Sequence, residues 1–324
     1  MQVEHVPVTG PVASSVAVPA GRRSNREAQI AFWTLVSPML IGLTIFTFIP
    51  IVWGFLISLS EARNTISLGH IIGFDNYADM LRDSQFRKSL VTILIFTAFI
   101  VPLTYAFSLA LAMLVNGVGF GRSFFRTVFF IPTAISYVIA SLIWRMSIFN
   151  GVPSGVANII LYDIFHVEEP VSWIANPSPP WYWLVLVTAR LWLQVGFYMI
   201  IFIAGLQEIP RDLYEAAFVD GAKTGWMTFR HITLPLLRNT TVAVLLLNFI
   251  AAFQAFDEFF NILGGTAASA GNRGLARPPL VYLYQVGLGD QNYGRASAGA
   301  FILTALIIIV TLLQGRIFGF GNRT

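Results

Sequence analysis

Polar and charged side chains stranded in long apolar runs are the residues of this sequence that could do chemistry. Arg190 is the sole charged residue between about 181 and 207. Gln194 and Tyr198 follow it at intervals of four, which puts all three on one face of a helix. Asn248, Gln254 and Asp257 recur along a second apolar run, and Tyr137, Trp144 and Arg145 along a third. Amides, phenols and a guanidinium supply hydrogen bonds, and aromatic rings supply flat apolar faces. That combination suits a hydroxyl-rich solute passing between helices, because buried polar groups in a span are expensive and often mark a path. The same groups would also serve as interhelical hydrogen-bond partners. Arg145, near the end of its run, would snorkel to the interface, and Trp173, Trp181 and Trp183 read as an interfacial aromatic belt. An unpaired Arg190 would cost roughly 2.5–3.5 kcal/mol on insertion scales. It is therefore expected to face the bundle interior and to pair with Asp257 or Glu258, which lie at a similar depth.

Bond-making chemistry has no comparable foothold. The 324 residues contain no cysteine and four histidines, so neither a thiolate nor a histidine metal site is expected. No Gly-x4-Gly-Lys-Ser/Thr phosphate loop, no His-Glu-x2-His and no Gly-x-Ser-x-Gly occurs. The few charges in the spans, Arg190, Asp257 and Glu258, form no catalytic constellation. The chain is not expected to be an enzyme or to hold a metal or cofactor.

The elements that position these residues follow from hydropathy. Hydrophobic residues make up 56% and charged residues 11%, against roughly 25% charge in an ordinary soluble domain. A net charge of +4 is too small to suggest a nucleic-acid partner. Uncharged runs such as Ala28 to Ser60 and Ser89 to Gly121 exceed the about 20 residues a helix needs to cross a bilayer. Six transmembrane helices are predicted, at about 30–60, 89–116, 124–148, 181–207, 239–263 and 297–318. The apolar stretch Pro279 to Leu288 is too short to cross and is expected to be interfacial or re-entrant. The fold class is an all-α integral membrane protein, with a transmembrane domain over 28–320 and a disordered N-terminal tail over 1–27. Six spans put both termini on one side. With that side taken as the cytoplasm, the inner segments hold 11 Lys and Arg and the outer loops 7, as the positive-inside rule requires.

The segment between the fourth and fifth spans, 208–235, is mixed in charge and punctuated. Pro210 favours a helix start, Asp212 can cap it, and Asp212-x-x-Glu215 fits a capping box. Gly221 suits the left-handed position that ends a helix, and Pro235 marks the return to the membrane. The run Glu215-Ala216-Ala217, then Gly221, then Ile232-Thr233-Leu234-Pro235 resembles the EAA loop, Glu-Ala-Ala-x3-Gly-x9-Ile-x-Leu-Pro, of permease subunits of bacterial ATP-binding-cassette importers. Gly73-Phe74-Asp75-Asn76-Tyr77, Arg122 to Arg126 running to Ile131-Pro132, Ala204 to Pro210, and Phe256-Asp257 with Gly264-Gly265 resemble the carbohydrate-uptake branch, that of maltose and glycerol-3-phosphate permeases. The likeness covers about 30–320. It departs after the fifth span, where Gly264-Gly265-Thr266-Ala267 replaces the family's Gly-Gly-Gly-Pro, and at Arg190, where a neutral residue is expected.

The resemblance implies that Glu215, Ala216, Ala217, Asp220, Gly221, Leu234 and Pro235 dock on a cytoplasmic ATPase. It implies a second permease, two ATP-binding subunits carrying ATP and magnesium, and an extracytoplasmic solute-binding protein, in a bacterial inner membrane. A secondary transporter is the alternative. It would show two related halves with broken helices at matching positions, which the sequence lacks.

Overall fold

The computed structural model describes residues 25–175, 178–222, 225–264 and 276–318. The tail expected over 1–27 lies almost wholly outside them, as do Lys223, Gly265 and the loop to Leu275. The described residues are helical. Their only extended pairings are two isolated bridges, Ser60 with Ile71 and Arg63 with Asn292.

The chain divides into a unit of residues 1–53 and a unit of 54–324. In the first, α1 (Asn25–Leu43) runs through a single π turn, Thr44–Phe48, into α2 (Ile49–Ser58), whose last five residues belong to the second unit. Leu35 and Phe46 on it are each 80% exposed. A helix that shows such side chains outward satisfies every backbone group internally and is suited to lipid rather than water.

The second unit is built on two long helices, α4 (Ser84–Gly117) and α8 (Tyr182–Gln207). They run in the same direction. Ile93, Phe96 and Ile100 share one core with Val185, Leu186 and Ala189, and Leu109, Ala112 and Val115 share another with Met199, Phe202 and Leu206. Between the two cores the Ser108 hydroxyl donates to the Val195 carbonyl at 3.1 Å. Asp83 caps α4, accepting from the amides of Gln85 at 2.8 Å and Phe86 at 3.4 Å, which satisfies two of the donors every helix start leaves open. The short α3 (Asp75–Arg82) precedes it.

Two of the predicted spans are not straight helices. The run over 124–148 is α5 (Arg122–Phe130) with a 3-10 turn, Ile131–Ala134, then a 93° bend into α6 (Tyr137–Ile143) and a π turn, Trp144–Ile148. Ile135 and Ser136 at the bend are extended. The run over 239–263 is α12 (Arg238–Phe253), a break at Gln254 to Phe256, and α13 (Asp257–Ile262). At its other end α12 meets Trp226–Leu236 at 71°. The last helix, α15, spans Tyr293–Phe318, and α14 (Pro279–Tyr284) with its π turn, Gln285–Gly289, is short, as its apolar length required. Among the described residues, four helical runs are long and apolar enough to cross a membrane, and up to six if each bent pair counts as one span.

Outside the spans, α7 (Val156–Phe165) and the following loop are organised by Asn158. Its side chain binds the carbonyls of Asn150, Val152 and Val171 and accepts from the Trp173 indole at 2.9 Å. Trp173 is therefore a buried anchor of this loop rather than a member of a lipid-facing belt.

Candidate functional site

Three groups of residues stand out, at three depths of the bundle. The deepest centres on Arg190. It is 5% exposed and donates from Nη1 to Glu258 Oε1 at 2.8 Å and from Nη2 to the Ala251 carbonyl at 2.6 Å. Its guanidinium carbon lies 5.0 Å from the centre of the Tyr137 ring, within cation–π range. The break in α12 explains the arrangement. A helix that stops at Phe253 leaves its last carbonyls without partners and its negative dipole end uncompensated. Arg190 supplies a donor and a charge there, and Glu258, in the first turn of α13, neutralises the charge. Of the two acids weighed from sequence, Glu258 forms the ion pair and Asp257 does not. Arg145 reaches the same helix, donating to the Asn261 carbonyl at 3.1 Å.

Beside this pair lies a cavity of about 310 Å³, lined by Thr133, Tyr137, Gln194, Phe197, Tyr198 and Ala251 among others. Two phenols, an amide and a phenyl ring converge on it from the α5–α6 bend and from α8. Gln194 Oε1 and Glu258 Oε2 are buried with no hydrogen-bond partner. Gln194 lines the cavity, and a solute with hydroxyl donors there would satisfy its acceptor, since a buried acceptor left unpaired costs about 1–3 kcal/mol. The other sequence candidates divide. Gln194 and Tyr198 join the cavity wall. Asn248 is fully buried and donates to the Val101 carbonyl of α4 at 3.3 Å, the interhelical role. Gln254 is exposed within the break. Sequence groups Tyr137 with the third span rather than with Arg190, because the bend that brings it over α8 leaves no trace in hydropathy.

The second group is the loop between α8 and α12. Helix α9 (Arg211–Val219) starts one residue after Pro210, which occupies the N-cap position. Asp212 therefore lies inside the first turn, and no side chain caps the helix. The expected capping role of Asp212, and a capping box with Glu215, are both out of register. The far end is as expected: Gly221 has φ +86°, its amide donates to Phe218 O at 3.0 Å, and the Ala222 amide donates to Ala217 O at 2.8 Å. These two bonds are the Schellman closure. Glu215, Ala216 and Asp220 are exposed and Ala217 half-buried, with Val219 88% exposed. Leu234 and Pro235 are also exposed. Tyr214 and Thr233 hydroxyls, 3.0 Å apart, pin α9 to the return segment. Ten residues separate Gly221 from Ile232, one more than the nine of the EAA pattern.

The third group, missed from sequence, is at the opposite end. Asp83 Oδ2 accepts from Tyr282 at 2.5 Å and from Arg295 at 3.1 Å, joining α4, α14 and α15. Burial works to raise the Asp83 carboxyl. The bonds from Tyr282 and from the amides of Gln85 and Phe86, with the Arg295 charge, outweigh it and hold the group below the ordinary carboxylate value. An Asp directly before a 34-residue helix was the available signal.

Helices long enough to span a membrane, two of them bent around a buried charge and a small polar cavity, define a membrane transport component. The chain belongs to the family described as binding-protein-dependent transport system inner membrane component, whose model matches residues 106–318. It is similar to the arabinooligosaccharides transport system permease protein AraP of Bacillus subtilis, 31% identical over 95% of each chain. It is also similar to the trehalose/maltose transport system permease protein MalF of Thermococcus litoralis, 32% identical over 90% of this chain and 95% of that one. The same fold is seen in the crystal structure of a bacterial ABC transporter involved in the import of the acidic polysaccharide alginate. There the TM-score is 0.79 at 22% identity, over 92% of this chain and 98% of the other.

Proposed function

We propose that this chain is the permease subunit of an ATP-driven importer of a sugar, oligosaccharide or polyol derivative, forming half of its path through a bacterial inner membrane. The single observation that carries the coupling role is α9. It is a short helix, closed at Gly221 and pinned by Tyr214, that turns Glu215 and an apolar end outward. A helix with that much open surface and no packing partner on its outer side is a docking element. Loop 208–235 would seat on a cytoplasmic ATPase, and ATP and magnesium would bind there, on two ATPase subunits. A second permease would complete the path and a solute-binding protein would deliver the cargo from outside. In this reading the α5–α6 run and the α12–α13 run each count as one span, with Trp226–Leu236 left in the loop, which makes six and leaves both termini in the cytoplasm. Arg190, Gln194, Tyr198, Asn248, Gln254 and Asp257 lie on or behind the path. The carbohydrate class is supported by the relatives' transport of arabinooligosaccharides and of trehalose and maltose, and by the aromatic and amide lining of the cavity.

Reconstitution of the full complex in vesicles tests this. Uptake of the binding protein's ligand should require ATP and the ATPase and should vanish with a hydrolysis-dead ATPase. Uptake driven by an ion gradient without ATP would instead establish a secondary transporter.

A further inference from the structure

We propose that the end of the bundle carrying α9 holds a site for an anionic phospholipid, its phosphate on Arg122 and Arg126 and an acyl chain in an apolar groove between α4, α5 and α8. The groove has a volume of about 410 Å³, and Phe107, Leu111, Val128, Phe129, Trp192 and Val195 are among the residues that line it. Trp192 is two residues from Arg190, about 200° around α8, so the groove lies on the side of that helix away from the polar cavity. At its floor, a Cβ on Gly196 would run into the Phe129 carbonyl. The backbones of α5 and α8 therefore touch there and close the floor of the groove.

The rim is basic. Arg122, Arg126 and Phe129 fall within about 60° of one another around α5, so the two guanidinium groups stand on the same side of the helix as a groove wall. Arg122 Nη2 donates to the Asn116 carbonyl at 2.6 Å, which fixes it at the end of α4. Asn116 is five residues past Leu111, about 7.5 Å along the helix, a span that a glycerol backbone can cover. Arg122 Nε and Arg126 Nε and Nη2 are buried without a hydrogen-bond partner. Among the described residues neither arginine has an acidic partner. Phe120 and Phe124, 95% and 67% exposed, flank the pair, as aromatic and apolar side chains do where a helix meets headgroups.

Two needs converge on one occupant. The guanidinium groups lack an anion, and the groove lacks apolar atoms. A soluble anion would meet only the first need, and a helix of a neighbouring subunit only the second. An anionic lipid meets both, at the depth where α4 and α8 end.

The test uses the intact complex in nanodiscs with brominated-chain phosphatidylglycerol or phosphatidylcholine, reading the tryptophan quenching lost in Trp192→Phe. Phosphatidylglycerol should quench Trp192 at lower mole fraction than phosphatidylcholine, by about fivefold for each arginine. Arg122→Gln with Arg126→Gln should abolish the preference, the double lysine variant should keep most of it, and Arg126→Gln alone, the mildest change, should lose about one fivefold step. Equal quenching by the two lipids would overturn the proposal in favour of ordinary boundary lipid. Absence of Trp192 quenching by either would overturn it in favour of a protein neighbour in the groove. A preference that survives the double glutamine variant would place the anion elsewhere.

Discussion

At the scale of single residues, the buried ion pair carries the sharpest expectation. Removing one partner of a buried pair strands the other charge, at a cost of roughly 3–5 kcal/mol. Glu258→Gln should therefore destabilise the purified complex strongly, and Asp257→Asn should not. A simple charge swap of Arg190 and Glu258 should fail, because the Ala251 carbonyl at 2.6 Å needs a donor that a carboxylate cannot supply. Arg190→Met with Glu258→Gln should recover part of the loss, giving a double-mutant coupling of at least about 1.5 kcal/mol in thermal unfolding. Coupling to Asp257 instead would refute the pairing. Sequence reasoning places Arg190 at the right depth but does not choose between adjacent acids, because it compares depth and not phase. The break between Phe253 and Asp257 resets the phase of the chain, so helical spacing from the preceding turns could not have selected Glu258.

Asp83 supplies a second residue-scale expectation. Its carboxyl is held below the ordinary value, so its contribution is fully present above the unfolded carboxylate pKa of about 3.9 and is lost as pH falls through the lowered folded value. Asp83→Asn should lower the unfolding temperature at neutral pH, and the gap to wild type should close on acidification below about pH 4. A gap independent of pH would show that the carboxylate charge is not what matters there.

At the scale of elements, hydropathy finds apolar length and is blind to direction. It locates the straight runs α4, α8 and α15 to within a few residues, since a long charge-free stretch has little choice but to be helical in lipid. It does not show that Ile135 and Ser136 are extended or that α12 stops at Phe253, because single polar residues such as Ser136 and Gln254 do not lower the local hydropathy enough to signal a break. The loop is legible where a residue has a unique conformational role. Gly221 at φ +86° is such a position, whereas the cap expected at Asp212 falls at Pro210. Gly221→Ala should cost about 1–2 kcal/mol locally. Gly221→Pro should do more harm, since it bars positive φ and removes the amide that bonds Phe218. Glu215→Ala leaves the helix intact. All three are expected to lower uptake per ATP hydrolysed, with proline the most severe and glutamate loss without change in assembly. Wild-type coupling ratios in Glu215→Ala and Gly221→Pro, at normal expression, would remove α9 from the coupling mechanism.

At the scale of the whole molecule, the parallel run of α4 and α8 fixes relative sidedness within residues 54–324. Asp83 and α3 lie at the start of α4, and α9 follows the end of α8, so the two must face opposite sides of any membrane that these helices cross. Which side is which is an electrostatic matter, for which the positive-inside bias gives the expectation tested next, from 11 against 7 basic residues. The absence of cysteine makes the orientation directly measurable. Asp79, exposed on α3, and Val219, exposed on α9, are each replaced singly by cysteine. In intact cells a membrane-impermeant thiol reagent should label Asp79→Cys and leave Val219→Cys untouched until the membrane is opened. Labelling of both in intact cells would mean that α4 and α8 do not both span. The reverse pattern would invert the protein and put α9 where no cytoplasmic ATPase could reach it, so this one measurement bears on topology and coupling together.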